Sequence, residues 1–219
     1  MILVVSPHAD DELFGAGGFI MKSVEKGMSV SAVLVACSDI EMHHSHEVIS
    51  GSERDKEFRK SCAMLGCDNV VDLWMKDSCL DTEPLSKLVS LLDEVVRDLK
   101  PDTVLIPERS YHQDHDYVNR ACIAALRPTT SWSPSKVLEY EVPTSTWASP
   151  QFAFHPNMYC DIGGFIERKK KIFVDCYTSQ LSDSRTKLAV GGIDAHALYR
   201  GIEAGVDYAE SFRVLKEVV

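Results

Sequence analysis

Two short polar clusters carry the residue types that bind a metal and activate water. The first is Pro7-His8-Ala9-Asp10-Asp11-Glu12 and the second is His112-Gln113-Asp114-His115. Imidazole and carboxylate are borderline-to-hard donors suited to Zn²⁺ or Fe²⁺. A catalytic zinc takes about three protein ligands and keeps one position open for water. The two clusters offer more donors than that: His8, Asp10, Asp11, Glu12, His112, Asp114 and His115. The surplus has a use, because metal-assisted hydrolysis also needs a base and a partner for the developing oxyanion.

About a hundred residues separate the clusters, so the fold must bring them together. Residues 2–5 form a continuous apolar run ending at Ser6-Pro7, the pattern of a strand buried on both faces. Helical periodicity follows over 12–26, closed by Gly27, and a second apolar strand covers 30–36. A helix over 52–65 stops at Gly66, and a short third strand spans 70–73. The spacing predicts a helix over 85–99, a fourth strand over 103–106 and a helix over 116–126. Beyond Pro128 the pattern loosens, with a strand over 137–142, a helix over 166–177 and a helical or irregular tail from 191. Strands alternating with helices predict a single α/β domain over residues 1–219, a Rossmann-like doubly wound sheet, mostly parallel, of order 3-2-1-4-5. In that order strands one and four are neighbours at the switch point, where such sheets bind ligands at the carboxyl ends of their strands. Both polar clusters fall there.

The rest of the chain narrows the classes. A formal net charge of −10 over 219 residues argues against general nucleic-acid binding, which needs a basic face. No apolar run approaches the ~20 residues of a membrane span. The start, MILVVSPH, lacks the basic region of a signal peptide. Seven scattered cysteines with no CxxC pair read as reduced thiols in a cytoplasmic protein without a structural zinc site. His43, His44 and His46 read as a solvated or lid loop in preference to a second metal site. His155 and His196 read as ordinary polar packing, and the Lys169–Lys171 run as a solvated helix face. The Gly15-Ala-Gly17-Gly18 stretch has the wrong spacing for a dinucleotide loop and suits close helix–sheet packing. Trp74, Trp132 and Trp147 could serve sugar stacking or the core.

PHADDE followed by HQDH resembles the paired signature of the LmbE/PIG-L family of zinc-dependent N-deacetylases (GlcNAc-PI de-N-acetylase-like), usually written (A/S)HPDDE with HPDH. Gln113 stands where the family has Pro, and Pro-His-Ala replaces His-Pro; neither change removes a chemical group. Arg54-Asp-Lys-Glu57 with Ala63-Met-Leu-Gly66 resembles the family's Arg-x-x-Glu helix ending in Leu-Gly. Phe154-His-Pro156-Asn157, Lys169-Lys-Lys171, Tyr177-Thr-Ser179-Gln180 and Tyr208-Ala-Glu-Ser-Phe212 resemble its later segments, so the likeness runs nearly end to end. The resemblance implies that His8, Asp11 and His115 hold the metal, Zn²⁺ or alternatively Fe²⁺. It implies Asp10 as the general base, His112 as oxyanion partner or proton donor to the leaving amine, and Arg54 as a substrate contact. Asp114 suits orientation of an imidazole through its free N–H, and Glu12 suits capping of the following helix. The implied reaction removes an acetyl group from an N-acetylamino sugar or related glycoside. Another small acylated amine is the alternative substrate, and a non-catalytic binding module on the same fold the alternative class. A homo-oligomer is compatible with the sequence.

Overall fold

The computed structural model describes residues 1–41, 48–129, 132–143, 153–181 and 183–219, with the side chains of all these except 180 and 183–188. Its centre is a seven-stranded sheet. Strand β1 (Ile2–Ser6) is buried along its whole length, as is β2 (Val30–Ala36). Side chains alternate between the two faces: Ile2 and Val4 join one core cluster, Leu3 and Val5 the other. A strand covered on both sides has no polar face to show, which is why these segments read as unbroken apolar runs.

Around β1 and β2 lie β5 (Asn69–Met75), β6 (Thr103–Pro107) and β7 (Lys136–Tyr140). The spatial order β5-β2-β1-β6-β7 is parallel throughout. Counted along these five strands, it is the expected 3-2-1-4-5. Helices α1 (Asp11–Glu25) and α2 (Gly51–Leu65) cover one face. Helices α3 (Leu85–Leu99) and α4 (Gln113–Ala125) cover the other. A separate two-stranded antiparallel pair, β3 (Ile40–Glu41) with β4 (Val48–Ile49), stands apart from the main sheet.

The C-terminal region departs from expectation. After β8 (Met158–Asp161) come α5 (Ile166–Cys176) and α6 (Asp183–Ala204), and the tail then returns as a nine-residue strand, β9 (Ala209–Glu217). Strands β9 and β8 extend the sheet antiparallel beyond β7. They escaped the sequence reading because neither is apolar throughout: β9 turns half-exposed from Arg213 onward, as a strand without cover on both faces can. Among the described residues no helix is long and apolar enough to cross a membrane. All seven cysteines are free thiols. Trp132 is partly buried, packs against a core cluster and donates from its indole N–H to Pro101 O at 2.9 Å. Trp74 is exposed, and Trp147 lies outside the described residues.

Lys169 also departs from expectation. It is 3% exposed, and its Nζ lies 2.7 Å from Glu210 Oε1 and 2.8 Å from Phe14 O. Glu210 in turn accepts the backbone N–H groups of Gly18 and Phe19, both at 2.7 Å, in the middle of α1. The buried ion pair thus also engages a carbonyl and two N–H groups of the same stretch of α1. Glycine at 18 is required there, because a Cβ would stand 2.4 Å from Ile162 Cγ2. Only Lys171 of the lysine run is broadly exposed. Replacing Lys169 with Met strands a buried carboxylate and should cost about 3 kcal/mol of unfolding free energy. Urea denaturation measures it; a loss below about 1 kcal/mol, the scale of a surface pair, would reduce the pair to an incidental contact.

Candidate metal-assisted hydrolytic site

The strand β1 delivers Pro7 and His8 to the carboxyl edge of the sheet, and α1 starts three residues later at Asp11. Next to it, β6 ends at Pro107 and α4 starts at Gln113 with His112 as its N-cap. The chain turns opposite ways from β1 and β6, leaving a crevice between their ends. The imidazoles of His8, His112 and His115 gather in it, with ring centroids 4.8–5.4 Å apart.

Asp11 sits at the centre. Its Oδ2 is 3.5 Å from His8 Nδ1 and 3.3 Å from His115 Nε2, and it accepts the His8 backbone N–H at 2.9 Å. One donor atom from each of His8, Asp11 and His115 falls within 4.8 Å of the others. Two imidazole nitrogens and a carboxylate oxygen converging on one point form a donor set suited to zinc or ferrous iron. A second set, His8, His112 and Asp114, meets the same distance criterion, but its atoms have other partners. Asp114 accepts Ser78 N–H at 2.7 Å and Leu80 N–H at 3.1 Å, and lies 3.0 Å from His8 Nε2. His112 Nδ1 accepts the Asp114 N–H at 3.2 Å. Either set could hold a metal ion, and the His8–Asp11–His115 set is engaged by fewer backbone N–H groups.

The electrostatics follow from burial. His8 loses hydration, which opposes its charge, but hydrogen bonds to Asp11 and Asp114 prevail and raise its pKa to about 10. Asp11 is also desolvated, yet His115 and His8 hold its carboxyl far below the ordinary range. Asp10 goes the other way: burial and the neighbouring Asp11 and Glu12 carboxylates hold it well above the ordinary range. Glu12 is pushed up to about 7, chiefly by burial. Burial and the flanking His8 and His115 lower His112.

Asp10 has an unusual backbone. Its φ of 120° is one of four positive values among the described non-glycine residues, a conformation costing about 1–3 kcal/mol that persists only where surroundings impose it. It occupies the N-cap position of α1, yet its side chain makes no cap hydrogen bond.

Arg54 comes from the first turns of α2, whose N-cap Ser50 accepts the Glu53 N–H at 3.1 Å. The Arg54 guanidinium is buried and paired with Asp77. Asp77 Oδ1 lies 3.9 Å from His8 Nε2 and accepts the Ser78 hydroxyl at 2.8 Å, so Arg54 joins the wall of the crevice through that carboxylate. Burial opposes ionisation of Asp77, but His8 and Arg54 lower its pKa.

Asp77 escaped the sequence reading. Its position just past the end of β5, on the same edge of the sheet, is the signal that could have found it. Ser61 and Tyr177 were also missed as neighbours of Glu12. His155 is exposed. His196 lies 3.1 Å from Glu141, and His43, His44 and His46 lie outside the described residues.

The sequence profile of the PIG-L family, described as GlcNAc-PI de-N-acetylase, matches residues 3–126. A probable N-acetyl-α-D-glucosaminyl L-malate deacetylase 2 of Bacillus cereus is 26% identical over 132 residues, 57% of this chain and 60% of that protein. The chain thus spans less than two thirds of that relative's length. The diacetylchitobiose deacetylase of Thermococcus kodakarensis is 28% identical over 224 aligned residues, 97% of this chain and 82% of its own. The solved N,N′-diacetylchitobiose deacetylase of Pyrococcus horikoshii superposes with a TM-score of 0.82 at 25% identity, covering 98% of this chain and 83% of that one. With its profile match across more than half of the sequence and the two motifs meeting in one crevice, the chain belongs to the PIG-L (LmbE-like) family.

Proposed function

We propose that the protein is a metal-dependent N-deacetylase acting on an N-acetylamino sugar or related glycoside. One observation carries most of the weight: an aspartate in an N-cap position, Asp10, leaves its carboxylate out of the cap beside a convergent His–Asp–His donor set. A binding module has no need of that spare base. The deacetylase relatives support the amide as the bond attacked.

In this reading His8, Asp11 and His115 hold the ion, zinc or ferrous iron. Bound there, it would supply Lewis acidity, polarising the acyl oxygen and lowering the pKa of water towards ~7. Asp10 takes a proton from the attacking water as oxygen adds to the acyl carbon. As the C–N bond breaks, that proton passes to the departing amine, leaving acetate and a free amino sugar. His112 spends Nδ1 on the Asp114 N–H, so the neutral ring carries its proton on Nε2 and can donate it to the oxyanion. Asp114, 3.0 Å from His8 Nε2, fixes the orientation and tautomer of a ligand. Arg54, paired with Asp77, is the cationic contact for a polar substituent of the substrate.

The test is amine release from N,N′-diacetylchitobiose, N-acetylglucosamine glycosides and small acylated amines, with zinc-loaded and iron-loaded protein compared. Release from the sugar amides and none from chelated protein is expected. Stoichiometric metal with no hydrolysis of any amide would favour the binding-module alternative.

A further inference from the structure

Glu12 is wholly buried and has an unusual set of partners. Its Oε2 accepts the backbone N–H of Asp10 at 3.2 Å. Its Oε1 accepts the hydroxyl of Ser61, from α2, at 2.6 Å and that of Tyr177, just past α5. The Asp10 carbonyl accepts the N–H groups of Leu13 at 3.0 Å and Phe14 at 2.9 Å. Both sides of a strained residue are therefore held, the carbonyl by its own helix and the N–H by Glu12. An aspartate before a helix ordinarily turns its carboxylate onto the first free N–H groups. Asp10 makes no such bond.

We propose that Glu12 is a positioning residue for Asp10: braced by Ser61 and Tyr177, it grips the Asp10 peptide and holds the Asp10 carboxylate towards the crevice. The inference rests on Asp10 being the base. It makes the depth of Glu12 functional, where a helix cap alone would need only a surface acid. Glu12 touches neither substrate nor reacting water; its effect passes through one peptide N–H.

The variants follow from hydrogen-bond chemistry. Glu12→Gln keeps an acceptor for the Asp10 N–H if its amide NH₂ faces Ser61 and Tyr177, whose hydroxyls can turn to accept. Glu12→Ala keeps none. Turnover of N,N′-diacetylchitobiose is measured per mole of folded, zinc-loaded protein, well below each variant's Tm. Glu12→Ala should lose about 100-fold in kcat, the scale of a small displacement of a catalytic group, with KM changed less than about threefold. Glu12→Gln should stay within about fivefold of the parent, since the gripping bond survives. A Glu12→Ala protein with parental kcat overturns the proposal. So does Glu12→Gln falling as far as Glu12→Ala, because the carboxylate charge would then be what matters.

If Glu12→Ala does not fold, Tyr177→Phe and Ser61→Ala loosen the brace from behind, and parental kcat in both overturns the proposal. Amide hydrogen exchange at Asp10 supplies a readout independent of substrate. The amide should be protected in the parent and in Glu12→Gln, and should exchange at least about tenfold faster in Glu12→Ala, by local opening. Equal exchange in all three overturns the proposal. Asp10→Ala separates the two levels: if it retains turnover the base assignment falls, whereas an inactive Asp10→Ala beside a fully active Glu12→Ala sinks the positioning role alone.

Discussion

Asp10→Ala should lose at least about 10³-fold in kcat, the scale of a general base, while binding metal as well as the parent does. The two halves of that result separate roles that look alike in sequence. Asp10 and Asp11 are adjacent carboxylates, but their surroundings differ. Asp11 lies between two imidazoles, at 3.5 and 3.3 Å, and is strongly held as the anion. Asp10 has acidic neighbours, and burial favours its neutral form. Groups pushed in opposite directions commonly divide into an ion-holding partner and a proton carrier. Elemental analysis beside steady-state kinetics checks both halves. Metal loss in Asp10→Ala would make it a ligand and overturn the assignment.

His115→Ala should have the reverse signature in its metal content. Removing one of the three proposed donors should leave less than about a tenth of the parent's bound metal after gel filtration, with activity falling in proportion. Two controls bracket it. Asp114→Asn disturbs the support of His8 and should weaken metal affinity by about 10–100-fold, the usual effect of a partner behind a ligand. His112→Ala should keep its metal and lose about 10²-fold in kcat, the effect of one oxyanion donor. If His112→Ala loses metal while His115→Ala retains it, the alternative donor set of His8, His112 and Asp114 is the true seat.

The legible part of this molecule was the part whose environment is uniform along the chain. β2 was read at its observed limits because all seven residues are buried. Helix α3 was read at its limits because Leu88, Leu92 and Val96 repeat on one face. The parallel order followed, and with it the convergence of residues 8–11 with 112–115. Elsewhere the deciding partners are remote. Glu12 meets Ser61 and Tyr177 at sequence separations of 49 and 165, and Glu210 meets Gly18 at 192. No local periodicity records such pairings, so Glu12 reads from sequence as a helix cap and Lys169 as a solvated lysine. Asp77 was hidden differently: a single aspartate in a loop acquires meaning only once β5 is known to end beside the crevice.

The contacts made by the middle of α1 bear on where the chain can be cut. Every residue placed in the crevice lies before α4 ends at Ala125. The helix that carries Asp11 and Glu12, however, awaits Lys169 for its Phe14 carbonyl and Glu210 for its Gly18 and Phe19 N–H groups. Those partners arrive with α5 and β9. A protease cut between α6 and β9 would spare every crevice residue and remove Glu210 from the Gly18 and Phe19 N–H groups of that helix. The helix that starts at the crevice thus depends on residues that never enter it.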